Sequence, residues 1–172
     1  MANGFSGFGG ALVSGWGVNS IITAQGGFPF SPQLSYNPSN NGDTRNPVRP
    51  FANPNFSGPV ILGTPDKWFD PAAFLAPSNA AANAGFYGNL GRNTLRGPGL
   101  ATWDFSTLKN TRLSERMNLQ FRAEIFNLLN RANFNMPNEV AFTPSGVSPT
   151  AGVITSTTTT SRQVQFGLKL LW

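Results

Sequence analysis

The sequence predicts an all-β fold: about four antiparallel strands of an incomplete transmembrane β-barrel with long extracellular loops. Three observations predict it. The last ten residues alternate, with Val164, Phe166, Leu168, Leu170 and Trp172 on one side and Gln163, Gln165, Gly167 and Lys169 on the other, Leu171 being the exception. That is the length of a strand crossing a bilayer at a tilt, apolar on one face and polar on the other. Charged residues make up 11% of the chain, against about 25% in a typical soluble domain. The third observation is a stretch of loop, residues 26–99, too long for a compact soluble domain but expected between barrel strands.

Taken in order, residues 1–11 are Gly-rich, with Phe5 and Phe8, and carry no strand pattern. The first strand is expected over residues 12–25. There Trp16, Val18, Ile22 and Ala24 share a face interrupted by Ser20. Gly15, Gly17 and the run Ile21-Ile22-Thr23 argue against a helix.

Residues 26–99 form one excursion punctuated by X-Pro pairs such as Phe28-Pro29, Asn37-Pro38, Asn46-Pro47, Asn53-Pro54 and Gly58-Pro59. Each Pro removes a donor and pushes its predecessor out of the helical region. Asn40-Asn41-Gly42-Asp43 reads as a turn, and Asp70-Pro71 as the start of a short helix with Asp at the N-cap.

The second strand is expected over 100–112 and the third over 117–127, joined by the tight turn Leu113-Ser114-Glu115-Arg116. Met117, Leu119, Phe121, Ala123 and Ile125 alternate with Asn118, Gln120, Arg122 and Glu124. In this hairpin Asp104 is expected opposite Arg122 or Glu124. Residues 128–152 form a second loop. The Thr/Ser run 155–161 is expected to extend the fourth strand, 162–172. Short turns lie in the periplasm of such barrels and long loops outside. The turn 113–116 is thus expected in the periplasm, and the loops 26–99 and 128–152 outside. Trp16, Trp103 and Trp172 then mark the two membrane interfaces.

Composition excludes several functions. The chain has no Cys and no His, so a disulfide framework, a thiolate metal site and the usual Ser-His-Asp triad are all absent. Asp66 and Asp70 suit turn and cap roles better than acid–base chemistry. Asn41-Gly42-Asp43 has too few carboxylates for calcium. Gly85 to Gly99, with Arg92 and Arg96, lacks the context of a phosphate loop and reads as loop packing. No catalytic residues, metal site or cofactor are expected, and the protein is not expected to be an enzyme. The net charge is +5, but the basic residues are spread thinly. No nucleic-acid partner is expected; salt-dependent retention on DNA would be its mark. Asp104, Gln120, Arg122, Glu124, Gln165 and Lys169 are the candidates for lumen-facing positions.

Gln165, Gly167, Leu170 and the terminal Trp172 resemble the C-terminal assembly signal of bacterial outer-membrane barrels. A wider resemblance covers most of residues 15–172. Gly15-Trp16 through Phe28-Pro29-Phe30, Asn41-Gly42-Asp43-Thr44-Arg45-Asn46-Pro47, Trp68-Phe69-Asp70-Pro71-Ala72-Ala73-Phe74 and the run Gly88 to Gly99 follow in order. Trp103-Asp104-Phe105-Ser106, Leu119 to Phe134 and Arg162 to Leu170 complete it. Together they resemble the C-terminal end of TonB-dependent outer-membrane receptors, in particular Oar-like barrels that often carry a carboxypeptidase-regulatory-like domain. The resemblance implies a barrel of about 22 strands with a plug, a place in the cell outer membrane, and energised uptake of a bulky substrate. Its implied partners are the lipid bilayer, the barrel-assembly machinery and, through an N-terminal part carrying plug and TonB box, the TonB complex. No export signal is read at residues 1–7, so the chain is expected to be the tail of a longer protein. The alternative is a free-standing secreted or surface β-rich binding module, whose aromatic, Asn-rich loops contact glycans and which has no transport role. The barrel segment should need detergent; the module should be soluble.

Overall fold

The computed structural model describes residues 7–39, 41–43, 48–77 and 87–172. The chain divides into two compact units. One comprises Met1–Gln25, Ala101–Ala132 and Thr159–Trp172; the other comprises Gly26–Leu100 and Asn133–Thr158. In chain order the elements are α1 (Gly7–Val13), β1 (Trp16–Gln25), β2 (Pro29–Phe30), β3 (Gln33–Leu34), β4 (Phe51–Ala52), a 3-10 turn (Pro71–Ala73) and β5 (Phe74–Leu75). They continue with β6 (Leu95–Arg96), β7 (Leu100–Arg112), β8 (Asn118–Phe126), β9 (Val140–Thr143), β10 (Gly146–Val147) and β11 (Gln163–Leu171).

The first unit is a four-stranded antiparallel sheet in the order β1-β7-β8-β11. It is not closed, and the fold is all-β but for α1 and the 3-10 turn. β1 starts at Trp16, not at Leu12, because Leu12 and Val13 close α1 and Gly15 turns the chain at φ 77°. A side chain at Gly15 would strike the Asn110 carbonyl, whose own N–H donates to Gly15 O at 2.9 Å. Only glycine meets both demands. β7 and β8 form the expected hairpin. Its turn is tied by Ser114 Oγ, which accepts from the amides of Arg116 and Met117.

The second unit corrects the expectation of a structureless loop. The excursion after β1 and the one after β8 fold on each other around one core: Phe30, Leu34, Val48, Phe69, Phe74, Leu90, Leu95, Ala141 and Phe142. β3 pairs with β9 in parallel, although more than a hundred residues separate them. β2 pairs with β6 and β4 with β5. Phe69 is fully buried, with the rings of Phe30 and Phe74 at 5.9 and 6.1 Å. Tilted and edge-on contacts of this kind are favourable for aromatic quadrupoles. Asp70 caps the 3-10 turn by accepting from Ala72 N at 3.2 Å, with Pro71 in the first position as expected. Lys67, 3.0 Å from the Asp70 carboxylate, holds that carboxyl below its ordinary range.

The Thr/Ser run does not extend the last strand. Thr157 bridges Phe134, and Asn135 N and Thr158 N bond to Ser156 O and Asn133 O. The run is therefore held by the loop unit, and β11 begins at Gln163. Asn40, Asn46-Pro47 and Gly85 lie outside the described residues.

Replacing Phe69 by Ala empties the centre of this second core. The expected cost is about 3–5 kcal/mol. Hydrogen exchange should then quicken roughly a hundredfold or more at the amides of Leu34 and Ser35, which bond to Val48 O and Phe142 O. The β8–β11 ladder should exchange as before.

Candidate functional site

The site is the sheet of the first unit, and its meaning lies in its two faces. The β8–β11 register pairs Phe166 with Ala123, Gln165 with Glu124, Lys169 with Gln120 and Leu170 with Leu119. The β7–β8 register pairs Phe105 with Ile125, Ser106 with Glu124 and Asn110 with Gln120. Side chains alternate, so these pairs sort the strands into two faces. Phe105, Leu119, Phe121, Ala123, Ile125, Val164, Phe166, Leu168 and Leu170 share one. Ser106, Asn110, Gln120, Arg122, Glu124, Gln165 and Lys169 share the other. β1 joins in the same sense: Gly17 lies against Leu108 of the polar face, and Ser20 Oγ accepts from Trp103 Nε1 at 2.7 Å on the apolar one.

Along β11 the apolar face is bare. Phe166 is 71% exposed, Leu168 70% and Trp172 90%. Phe121 and Phe166 stack with centroids 6.1 Å apart, filling a diagonal cross-strand position. On the polar face Gln165 Nε2 donates to Glu124 Oε2, and Gln120 Nε2 to Asn110 Oδ1 at 2.9 Å. A hollow of about 470 Å³ is lined by Asn19, Asp104, Ser106, Arg122, Glu124 and Phe126 among others. The six positions expected to face a lumen thus share one face.

The register corrects Asp104. Phe105 faces Ile125, so Asp104 stands one step further on, level with Phe126 rather than with Arg122 or Glu124. Its carboxylate accepts from Asn127 N at 2.9 Å. That contact belongs to a knot the alternation does not reveal. Asn127 is buried, at φ 50°. Its Nδ2 donates to Arg131 O at 3.0 Å and Thr160 O at 3.1 Å, and its Oδ1 accepts from Arg131 N at 3.1 Å. Asn130, also at φ 50°, accepts from Arg162 N at 3.0 Å. Leu128 N donates to Trp103 O at 2.7 Å. One corner thus ties β7, β8 and the approach to β11. The signal was present as two Asn just past a strand, residues that tolerate left-handed backbone.

A second missed residue is Lys109, which the pairing with Phe121 puts on the apolar face. It is buried: Nζ donates to Leu12 O at 3.1 Å and to Ser14 O, and lies 5.2 Å from the Trp16 ring centroid. The carbonyls ending α1 and the indole face absorb its charge.

Residues 1–165 match the family described as outer membrane beta barrel domain. The chain belongs to this family. The barrel domain is a component of the outer membrane. No curated protein and no solved structure matches the chain. Gln165 falls within the matched span of the barrel domain; Gly167, Leu170 and Trp172 lie past it.

Asn127→Ala should destabilise the sheet by about 2–4 kcal/mol, for three side-chain hydrogen bonds lost. Asn127→Gly should do better than Ala by about 1 kcal/mol, because glycine accepts the positive φ. Urea unfolding in detergent reads both. Wild-type stability in both variants would remove the knot from the account.

Proposed function

We propose that this chain is the C-terminal barrel segment of a TonB-dependent outer-membrane transporter or receptor that takes up a bulky substrate. The observation that carries the reading is the sheet with one apolar face, bare along β11, and one polar face, in a chain of the outer-membrane barrel family. The apolar face meets lipid. Asp104, Gln120, Arg122, Glu124, Gln165 and Lys169 line the lumen. Gln165, Gly167, Leu170 and Trp172 are the signal read by the barrel-assembly machinery. The loop unit lies outside the cell. Two long excursions leave the same end of the sheet, after β1 and after β8, while the short turn 113–116 lies at the other. That arrangement supports the orientation, since long loops are external in such barrels. The role is non-catalytic: with no His and no Cys, the scattered carboxylates find no partner for nucleophilic or metal chemistry.

TonB dependence is tested on the native polypeptide, recovered from outer membranes with an antibody to this chain. A species much larger than 18.4 kDa that cross-links to the TonB C-terminal domain supports the transporter. A species of this size that does not cross-link overturns it.

The assignment of faces has its own test. Leu168→Arg should cost about 2–4 kcal/mol in bilayers, as a charge facing lipid near mid-depth does, while Gln165→Arg should cost little. Refolding into lipid vesicles measures both, and the reverse order would exchange the faces.

A further inference from the structure

We propose that the loop unit carries a binding crevice for an acidic saccharide, a sugar bearing a carboxylate or phosphate group, centred on Arg49 and Arg92. The proposal stands on the loop unit alone and does not depend on TonB. Two adjoining hollows, of about 340 and about 390 Å³, are both lined by Arg49 and Arg92. Their sizes lie at the lower end of the range for small-ligand sites, roughly 300–1,000 Å³.

The crevice is built where two chain segments are tied together by backbone and side-chain bonds. The segment after Tyr87 is zipped onto the one after Val48. Leu90 N donates to Pro50 O at 3.2 Å, Ala52 N to Asn89 Oδ1 at 2.9 Å, and Arg49 Nε to Leu90 O at 2.7 Å. Gly88 sits so close that a Cβ would lie 2.1 Å from Arg49 O. Arg49 is thus held by one edge of its half-buried guanidinium, and its Nη groups stay open to the hollows. Arg92 is carried on the turn at 92–93. That turn is fixed by Asn93, at φ 56°, whose amide donates to Ser31 Oγ at 2.7 Å. Among the described residues no hydrogen bond or ion pair engages the Arg92 guanidinium. Two guanidinium groups offering free N–H edges to one space suit an oxyanion, which they bind by paired hydrogen bonds.

The rest of the lining points to a sugar. Tyr87 is 56% exposed and its hydroxyl accepts from Asn41 Nδ2 at 2.5 Å, which holds the ring in place. A fixed, open aromatic face stacks on the C–H face of a pyranose. Asn37 is held by bonds to Asn41 Oδ1 at 2.7 Å and Asp43 O at 2.6 Å. Asn37 Oδ1 accepts in turn from Ser39 N and Ser39 Oγ, so this wall beside Tyr87 is rigid and loses little entropy on binding. At the far end Glu139 is held by Gln33, and burial pushes its carboxyl above the ordinary range. It forms no ion pair with either arginine.

The test is calorimetric titration of the whole chain in detergent micelles with a galacturonic acid trimer, a disaccharide phosphate and a neutral maltotriose. The charged sugars should bind and the neutral one should not; which charged sugar binds tells carboxylate from phosphate. Arg92→Ala should weaken binding about tenfold or more, as loss of a charged hydrogen-bond donor does, while Arg92→Lys should retain part of it. Amide exchange at Leu90 should be unchanged in both variants. Absence of binding, equal binding of maltotriose, an Ala variant that binds as the wild type, or loss of binding together with faster Leu90 exchange would each overturn the proposal.

Discussion

The two-faced sheet depends on one constraint, the register between neighbouring strands. A slip of one residue would carry Phe166 and Leu168 to the polar side and Gln165 and Lys169 to the apolar side. Nine successive pairs hold β11 on β8, but a ladder of backbone bonds is the same in every register. Specificity has to come from a point that cannot repeat. Asn127 is such a point. Its side chain reaches Arg131 O and Thr160 O, and its amide reaches Asp104. Moving β7 or the approach to β11 by one residue would strand these buried polar groups, at a cost larger than that of an ordinary ladder bond. The diagonal stack of Phe121 on Phe166 reinforces the same register from the apolar side.

The two units obey different physics. The sheet has hardly any core: Val164, Phe166, Leu168 and Leu170 are exposed on its apolar face, and their burial has to come from surrounding hydrocarbon. The loop unit carries its own core, with Phe69 and Ala141 wholly buried and prolines 32 and 50 nearly so. Its strands are only two to four residues long, so ladder bonds contribute little. Packing and side-chain-to-backbone bonds replace them. Of the latter, Tyr36 Oη to Pro77 O at 2.9 Å and Trp68 Nε1 to Arg96 O at 2.8 Å are typical. The abundance of Asn and Pro in the sequence suits this, because Asn satisfies backbone groups locally and Pro removes donors that would need satisfying.

This contrast explains what was legible in the sequence. β8 and β11 could be read almost to the residue because alternation is a local signal and one face is uniformly apolar. β7 was legible as a strand, yet its register was not: placing Asp104 level with Phe126 depends on a turn and a knot, not on composition. The loop core was hidden for a different reason. Its central pairing joins Gln33-Leu34 to Val140–Phe142, and nothing local announces a partner so far along the chain. The Thr/Ser run misled because β-prone residues fit any extended backbone; here they bridge Phe134 rather than lengthen β11. Lys109 was passed over because Thr107 and Thr111, its neighbours on the same face, already blur the alternation there. Only its capture by the carbonyls of Leu12 and Ser14 shows how it is tolerated on that face. Of the crevice, Arg92 stood out in the sequence only as a member of a Gly-rich stretch, and Arg49 gave no signal at all.

The edges of the sheet carry the argument one step further. β1 and β11 each have a single neighbour, so each presents a row of unpaired backbone donors and acceptors on its other side. In water such an edge invites aggregation; in hydrocarbon every unsatisfied group costs several kcal/mol. Four strands cannot curl to satisfy each other, since known barrels need about eight. An outer-membrane sheet of this kind therefore requires further strands against both edges. The strand number suits that. With an even count and antiparallel neighbours throughout, β1 and β11 run in opposite directions. Strands added at either side can continue the alternation, with short turns at one end of the sheet and long excursions at the other. The sheet is thus a repeatable piece of barrel wall, while the loop unit is held by a core of its own.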